Sequence, residues 1–255
     1  MQEVFKPLEI ADYHFLIGII ESPFNLTDDQ KLKSLLAAYE KDETPARRAA
    51  LNKQLERSTR YLGSSDLAYF MRRWATPEPG VPFHEMMRDV AGALKVDKPQ
   101  VGTQREMLEQ IVTQYATKQF AELPDEEKQK MLESLGVEQE RAASFIKKSA
   151  GVFALPMLIE AFGSLVVNGL IKNIIFGLIG KIIGHQLAMR LFNFILGRFP
   201  WWVSWIGPVA WTVSIGWTAF DVQGPAYRKT IPIVLYLGLC SMRGKEDGSA
   251  TPRKK

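Results

Sequence analysis

Apolar side chains recur every three or four positions through residues 1–149, a spacing typical of helices that bury one face. Two such faces consist of Leu32, Leu35, Leu36 and Tyr39, and of Phe83, Met86, Met87, Val90 and Leu94. This half shows no sustained alternation of apolar and polar residues, the pattern that predicts half-exposed strands. The pattern predicts an all-α fold with a charged, amphipathic helical N-terminal domain.

Helix starts in this half are marked by capping residues. Thr27–Gln30 and Thr103–Glu106 have the capping-box spacing, in which a threonine hydroxyl accepts from a backbone N–H three residues on. Pro45 and Pro124 stand where a missing N–H is tolerated, at the first turn of a helix. We expect a helix to begin at each of these four places.

The composition changes at residue 150. Residues 150–243 are predicted to form an apolar, glycine- and tryptophan-rich helical hairpin unit that associates with a membrane. Its apolar pattern predicts helices over Val152–Ile171 and Asn173–Leu196, and Ala226–Met242 follows as a last helix or hairpin arm. Residues 244–255 are polar and basic, which predicts a disordered tail.

The stretch Phe199–Phe220 contains no charged residue and is long enough to cross a bilayer as a helix. It holds five of the six tryptophans of the chain, at Trp201, Trp202, Trp205, Trp211 and Trp217. Indole rings gather at membrane interfaces because the ring is apolar and its N–H seeks a polar partner. The sequence predicts that these tryptophans bind a membrane, and a buried helical hairpin in a soluble protein is the alternative.

The charge is divided unevenly along the chain. Residues 1–149 have a net charge of −3, whereas residues 150–255 have a net charge of +7. Basic residues beside apolar surface favour an anionic lipid membrane over nucleic acid, which requires clustered Lys and Arg along a groove. Tyr227, Arg228 and Lys229 are the predicted contacts with lipid headgroups, although they could instead anchor the start of the last helix.

Charged residues inside the apolar half raise the free energy of inserting it into a bilayer. Glu160 lies midway along the first apolar helix, and we expect it to be buried among Leu158, Ile159 and Phe162. A charge at the centre of a spanning helix costs about 2.5–3.5 kcal/mol on insertion scales. Protonation would remove that charge, so Glu160 is the predicted insertion switch.

The sequence lacks the usual marks of catalysis. Cys240 is the only cysteine and lies in an apolar setting, while His14, His84 and His185 stand far apart without metal-ligand spacing. We find no phosphate-binding glycine loop, nucleophile elbow or zinc-protease motif. The expectation is a protein that is not an enzyme and needs no cofactor or metal. The N-terminus lacks a secretory signal pattern, so we expect the cytoplasmic side of the inner membrane, as a peripheral or integral protein.

The run Trp205–Leu235 resembles the signature of the YaaW-like family of uncharacterised bacterial proteins. The matching parts are Gly207-Pro208 and, more specifically, Ala226-Tyr-Arg-x-Thr-Ile-Pro232, with weaker similarity through Tyr61–Val96 and Thr103–Leu135. This chain departs from the family in its many tryptophans and in a more apolar Ile159–Phe194. The resemblance implies a distant relation to the ubiquinol–cytochrome c reductase assembly chaperone domain.

Two functions follow as expectations. The first is a non-enzymatic protein whose C-terminal half binds or inserts into a bilayer, in its sharpest form as a membrane-perturbing or pore-like effector. The alternative is an assembly chaperone for a membrane or respiratory-complex protein, with a client groove around Met86, Met87 and Trp74. Further expected partners are a protein client or other copies of the chain.

Overall fold

The structure is a computed structural model that describes residues 1–21, 28–62, 80–149, 151, 153–199 and 227–249. These residues form α-helices and no strand, which confirms the predicted all-α class. In chain order the helices are α1 (Gln2–Phe5), α2 (Ile10–Ile20), α3 (Asp28–Lys41), α4 (Pro45–Leu62), α5 (Phe83–Ala93), α6 (Gln104–Glu122), α7 (Asp125–Ser134), α8 (Gln139–Ser149), α9 (Leu155–Ile183), α10 (His185–Arg198) and α11 (Tyr227–Ser249).

The capping signals place several of these helices correctly. Thr103 accepts from the backbone N–H of Glu106, and the Glu106 side chain accepts from the backbone N–H of Thr103. This reciprocal arrangement confirms the predicted start of α6. Helix α4 begins at Pro45 and α7 follows Pro124, as expected. Thr27 lies outside the described residues.

The predicted division of the apolar half into Val152–Ile171 and Asn173–Leu196 is wrong. Helix α9 runs through both Lys172 and Asn173 and is broken instead at Gly163, where φ is 82° and ψ is 161°. It ends at Ile183, and the next residue, Gly184, has a φ of 85°. Polar side chains in mid-helix leave the backbone hydrogen bonds in place, whereas the positive φ at Gly163 takes the backbone out of the helical conformation and interrupts them.

The last helix extends beyond its predicted C-terminal end. Helix α11 is described from Tyr227, and Thr230 and Pro232 lie inside it. Its backbone continues to Ser249, past the expected start of the tail at Gly244. Residues 250–255 lie outside the described residues.

Helix α11 packs against α6, α9, α2 and α5, and α9 also packs against α6. A β-carbon on Gly238 of α11 would lie 2.3 Å from Cγ2 of Val112 and 3.0 Å from the backbone oxygen of Leu108 on α6, so the backbone of α11 lies close against α6 there. One continuous hydrophobic core joins residues from both sides of residue 150, with Phe120 and Leu237 among its members. Independent folding of residues 1–149 stays a prediction.

Candidate functional site

The predicted membrane-binding tryptophans, Trp201, Trp202, Trp205, Trp211 and Trp217, lie outside the described residues, so their membrane contact stays a prediction. The three neighbouring residues at the start of α11 are described. Arg228 is exposed and Tyr227 is half-buried against the core. The Lys229 ammonium group donates to the backbone oxygen of Ile20 at 2.7 Å. Lys229 therefore fastens α11 to the C-terminal end of α2, and contact of these three residues with lipid headgroups stays a prediction.

Glu160 lies on the outer side of α9 and is exposed. Its expected burial among apolar side chains is wrong. Leu158 and Phe162, one helical turn apart, face the core, and this places the intervening Glu160 toward water. The role of Glu160 as an insertion switch stays a prediction.

A buried polar cluster joins the two ends of the chain. We call this cluster, formed by Asp12, Tyr236, Cys240 and Arg243, the Asp12 clasp. The Asp12 carboxylate is fully buried and accepts from the Tyr236 hydroxyl at 2.6 Å and from the Arg243 guanidinium at both oxygens. It also accepts from the backbone N–H of Glu9 at 2.7 Å, which caps the start of α2. The clasp therefore holds the first turn of α2 against α11.

Burial and neighbouring charges shift the pKa values of three side chains of the Asp12 clasp. Burial, together with the neighbouring Asp12 carboxylate, raises the pKa of Tyr236 and of the Cys240 thiol well above their usual ranges. Burial opposes the charge of Arg243, but the attraction and hydrogen bond of Asp12, together with the neighbouring Cys240 and Tyr236, outweigh it and raise the pKa of Arg243. Cys240 is thus held as a thiol, away from solvent. The thiolate form required of a nucleophile is disfavoured in this position.

Sequence analysis did not identify the clasp. An acid inside the apolar run Ile10–Ile20 and an arginine at the end of the apolar part of α11 were the available signals, because an isolated charge in an apolar segment needs a partner. Nothing in the sequence pairs two residues that stand 231 positions apart. The pairing depends on the packing of α2 against α11.

Aromatic side chains continue the same contact between the halves. The Tyr236 ring stacks on Phe15 of α2 with ring centroids 4.1 Å apart. Phe192 of α10 lies 5.7 Å from Phe15. A β-carbon on Gly18 would lie 2.2 Å from Leu191, so α10 approaches the backbone of α2 closely. The inner face of α10 is therefore fixed to the N-terminal half.

His14, Glu40 and Arg198 form a second polar group, near the surface. The His14 ring nitrogen Nε2 lies 2.7 Å from the Glu40 carboxylate, and Arg198 at the end of α10 donates to the same oxygen at 3.2 Å. The His14 ring also packs on Phe194 at 4.9 Å. Within the described part of the chain, no group of three or more His, Cys, Asp or Glu side chains has metal-site geometry.

A cavity of about 470 Å³ opens between α6 and the loop after α5. Its lining includes Lys118, Thr117 and Phe153, and the Lys118 ammonium group donates to the backbone oxygen of Lys95 at 2.9 Å. None of the residues predicted to form a site lines this cavity. Met86 and Met87, expected in a client groove, are buried in the core at 2% and 0% exposure, and Trp74 lies outside the described residues.

The first part of α9 presents apolar side chains to water. Leu165 is 85% exposed, Ile159 is 42% exposed and Met157 is 38% exposed. Among the described helices, α9 is long and apolar enough to cross a membrane. In its most apolar window 56% of the residues are buried, so it also serves as a core helix of the folded protein.

Comparison with known proteins finds similarity to the UPF0174 protein of Helicobacter pylori (strain J99 / ATCC 700824). The two chains are 29% identical over 196 residues, which cover 73% of this chain and 70% of the relative. No family model matches the chain, and no solved structure matches it. The name of the relative states no activity, so the comparison shows a distant similarity to an uncharacterised bacterial protein and assigns no function.

Proposed function

We propose that this is a non-enzymatic, membrane-associated helical protein whose C-terminal half binds or inserts into an anionic bilayer. The proposed location is the cytoplasmic side of the inner membrane, with either peripheral or integral attachment. In its specific form the protein is a membrane-perturbing or pore-like effector that acts through association with other copies of itself. We also propose that the chain is related to the YaaW-like family, whose signature its C-terminal motif resembles.

The exposed apolar surface of α9 is the observation that carries the proposal. Leu165, Ile159 and Met157 lie at the start of a helix that has the length and composition of a membrane span. Large apolar side chains exposed along a helix of this length and composition favour contact with another apolar phase. The sequence adds Phe199–Phe220, which lacks charged residues and contains five tryptophans.

An assembly chaperone for a membrane or respiratory-complex protein is the alternative proposal. It rests on the resemblance of the first half to the chaperone domain. Because Met86 and Met87 are core residues, a client groove built on them would require α5 to separate from its neighbours. The membrane proposal requires no such opening, so we place it first.

Cell fractionation tests the membrane proposal. After lysis most of the protein should sediment with membranes, and its tryptophan emission should shift to shorter wavelength when anionic liposomes are added, because indole enters a less polar phase. Carbonate washing should release a peripheral protein and retain an integral one. Recovery of all the protein in the soluble fraction, without a spectral response to lipid, would contradict the proposal.

Replacement of Glu160 by glutamine tests the insertion switch. Because ionised carboxylates are costly in hydrocarbon, dye release from anionic vesicles by the parent should increase as pH falls. Glu160→Gln removes the charge at every pH, so the variant should release dye at neutral pH about as the parent does in acid. Equal dye release by both proteins at every pH would remove Glu160 from the mechanism, and absence of release would end the pore-like form of the proposal.

A further inference from the structure

The kink in α9 lies at one residue. Gly163 has φ 82° and ψ 161°, a conformation that is essentially restricted to glycine. No atom lies within 4 Å of the position that a β-carbon on Gly163 would occupy. The kink therefore depends on the backbone freedom of glycine and not on a lack of space for a side chain.

Helix α8 holds the kink from the charged half of the chain. The Arg141 guanidinium donates to the backbone oxygen of Ala161, two residues before Gly163. In a regular helix that oxygen accepts from the N–H of residue 165. The ring of Phe162 lies 4.7 Å from the ring of Phe145, and the Arg141 guanidinium lies 5.8 Å from the same Phe162 ring. Arg141 and Phe145, one turn apart on α8, thus fix the segment before the kink.

The segment around the kink and the later part of α9 differ in burial. Met157, Ile159 and Leu165 are exposed around it, whereas the part of α9 from Leu170 to Ile179 is almost entirely buried. In water, backbone groups released by a kink can bind solvent. In hydrocarbon they find no partner, so a bilayer favours the uninterrupted helix.

A straight α9 would match the thickness of a bilayer. Glu160 and Lys181 bracket 20 residues, 161–180. Lys172 is the one charged residue between them and lies near the middle, where its charge opposes insertion and the apolar residues around it must outweigh that cost. At about 1.5 Å per residue, such a helix spans about 30 Å, which is the thickness of the hydrocarbon core. The two bracketing residues would then lie at the two edges of the hydrocarbon core, where the Lys181 side chain extends to water and protonation lowers the cost of bringing the Glu160 carboxylate to that edge.

We propose that Gly163 is a hinge and Arg141 its latch. Helix α9 is kinked in the folded protein in water, and it straightens to cross a bilayer with Glu160 and Lys181 at opposite surfaces. This inference rests on the proposed function, and it names the segment that enters the lipid and the conformational change that accompanies entry. The partner surface is the acyl layer of a bilayer, matched by the length of the segment and by its exposed apolar side chains.

Gly163→Ala in the full-length protein tests the hinge. Alanine disfavours positive φ and favours a continuous helix, so the variant should partition more strongly into vesicles of equal parts phosphatidylcholine and phosphatidylglycerol. The expected increase in flotation with vesicles is about tenfold, which corresponds to about 1.4 kcal/mol. The carbonate-resistant fraction should increase with it.

Gly136→Ala is the matched control. Gly136 has φ 88° and equally open space around its β-carbon position, but it follows α7 in the charged half. Both substitutions place a β-carbon in open space on a residue with positive φ, so both should lower the midpoint of thermal unfolding. The control should leave vesicle partition unchanged.

Arg141→Met tests the latch without altering the apolar segment. Methionine retains an apolar stem near Phe162 but cannot donate to the Ala161 oxygen, so partition should again increase. Arg141 is exposed, and its substitution leaves the hydrophobic core intact. On the parent protein itself, hydrogen exchange of residues 161–168 should slow when vesicles are added, because straightening restores helical hydrogen bonds there.

The outcomes separate the hinge from the proposed function. If the parent floats with vesicles but Gly163→Ala and Arg141→Met float no better, and exchange at 161–168 is unchanged, the hinge is overturned and membrane association stands. If Gly136→Ala raises partition as much as Gly163→Ala, general destabilisation explains the effect and the hinge is again overturned. If neither the parent nor any variant floats, both proposals fail.

Discussion

Replacing Arg243 by methionine should strongly destabilise the protein. The Asp12 and Arg243 side chains are 0% and 6% exposed and form an ion pair through both carboxylate oxygens. Methionine leaves the Asp12 carboxylate buried without its counter-ion. Breaking a buried pair from one side costs about 3–5 kcal/mol, mainly because the remaining charge is uncompensated. Asp12→Asn should cost a similar amount, since it isolates the charge of Arg243.

The double variant Asp12→Asn/Arg243→Met should lose less than the sum of the two single losses. It removes both charges, and what remains is the weakening of neutral hydrogen bonds to Tyr236 and to the backbone of Glu9, each worth about 1 kcal/mol. We therefore expect a loss of about 1–3 kcal/mol for the double variant, and a coupling energy of at least about 2 kcal/mol.

Urea unfolding of the full-length protein, followed by far-ultraviolet circular dichroism, measures these losses. Lys6→Met is the control, because it breaks an ion pair with Glu3 in which both side chains are largely exposed, and it should cause no measurable change. Additive losses in the double variant would refute the coupling. Single variants as stable as the control would refute the burial of the pair.

Three further predictions concern packing, pH and domain boundaries. Gly238→Ala should destabilise by about 1–3 kcal/mol, because its β-carbon would meet Val112 at 2.3 Å, whereas Gly197→Ala has open space and should cause no loss in urea unfolding. The contribution of Cys240 and Tyr236 to the free energy of unfolding should be fully present below about pH 8.5 and should fall above it. In the unfolded state Cys240 releases its proton near that pH and Tyr236 near about pH 10, whereas the folded state retains both protons. Urea midpoints across this range check the sign, and a flat profile would contradict the burial of both groups. A fragment of residues 1–149 should have a helical circular dichroism spectrum. It should also bind a hydrophobic dye, because it lacks the α11 surface that covers α6. A fragment that binds no dye would show that the first half buries its apolar residues without α11.

Much of the helical framework could be predicted because its signals are local. The Thr103–Glu106 box and the apolar face of α5 each depend on residues within one or two turns, and both are present in the structure. The break in α9 was misplaced because polar residues at Lys172 and Asn173 look like a boundary, while glycines such as Gly163 recur throughout the segment. The glycine at the kink is the one whose preceding residues contact α8, through Arg141 and Phe145, and this contact between helices is not visible in the sequence.

By itself, the sequence determined the fold class, the amphipathic faces, several helix starts and the division of charge between a polar and an apolar half. These properties follow from side-chain spacing and chemistry along a single stretch of chain. The tertiary structure alone decided that α11 joins the core of the N-terminal half, that Asp12 meets Arg243 and that Glu160 faces water. Each of these depends on which helices pack together, and a pairing across 231 positions leaves no trace in local periodicity.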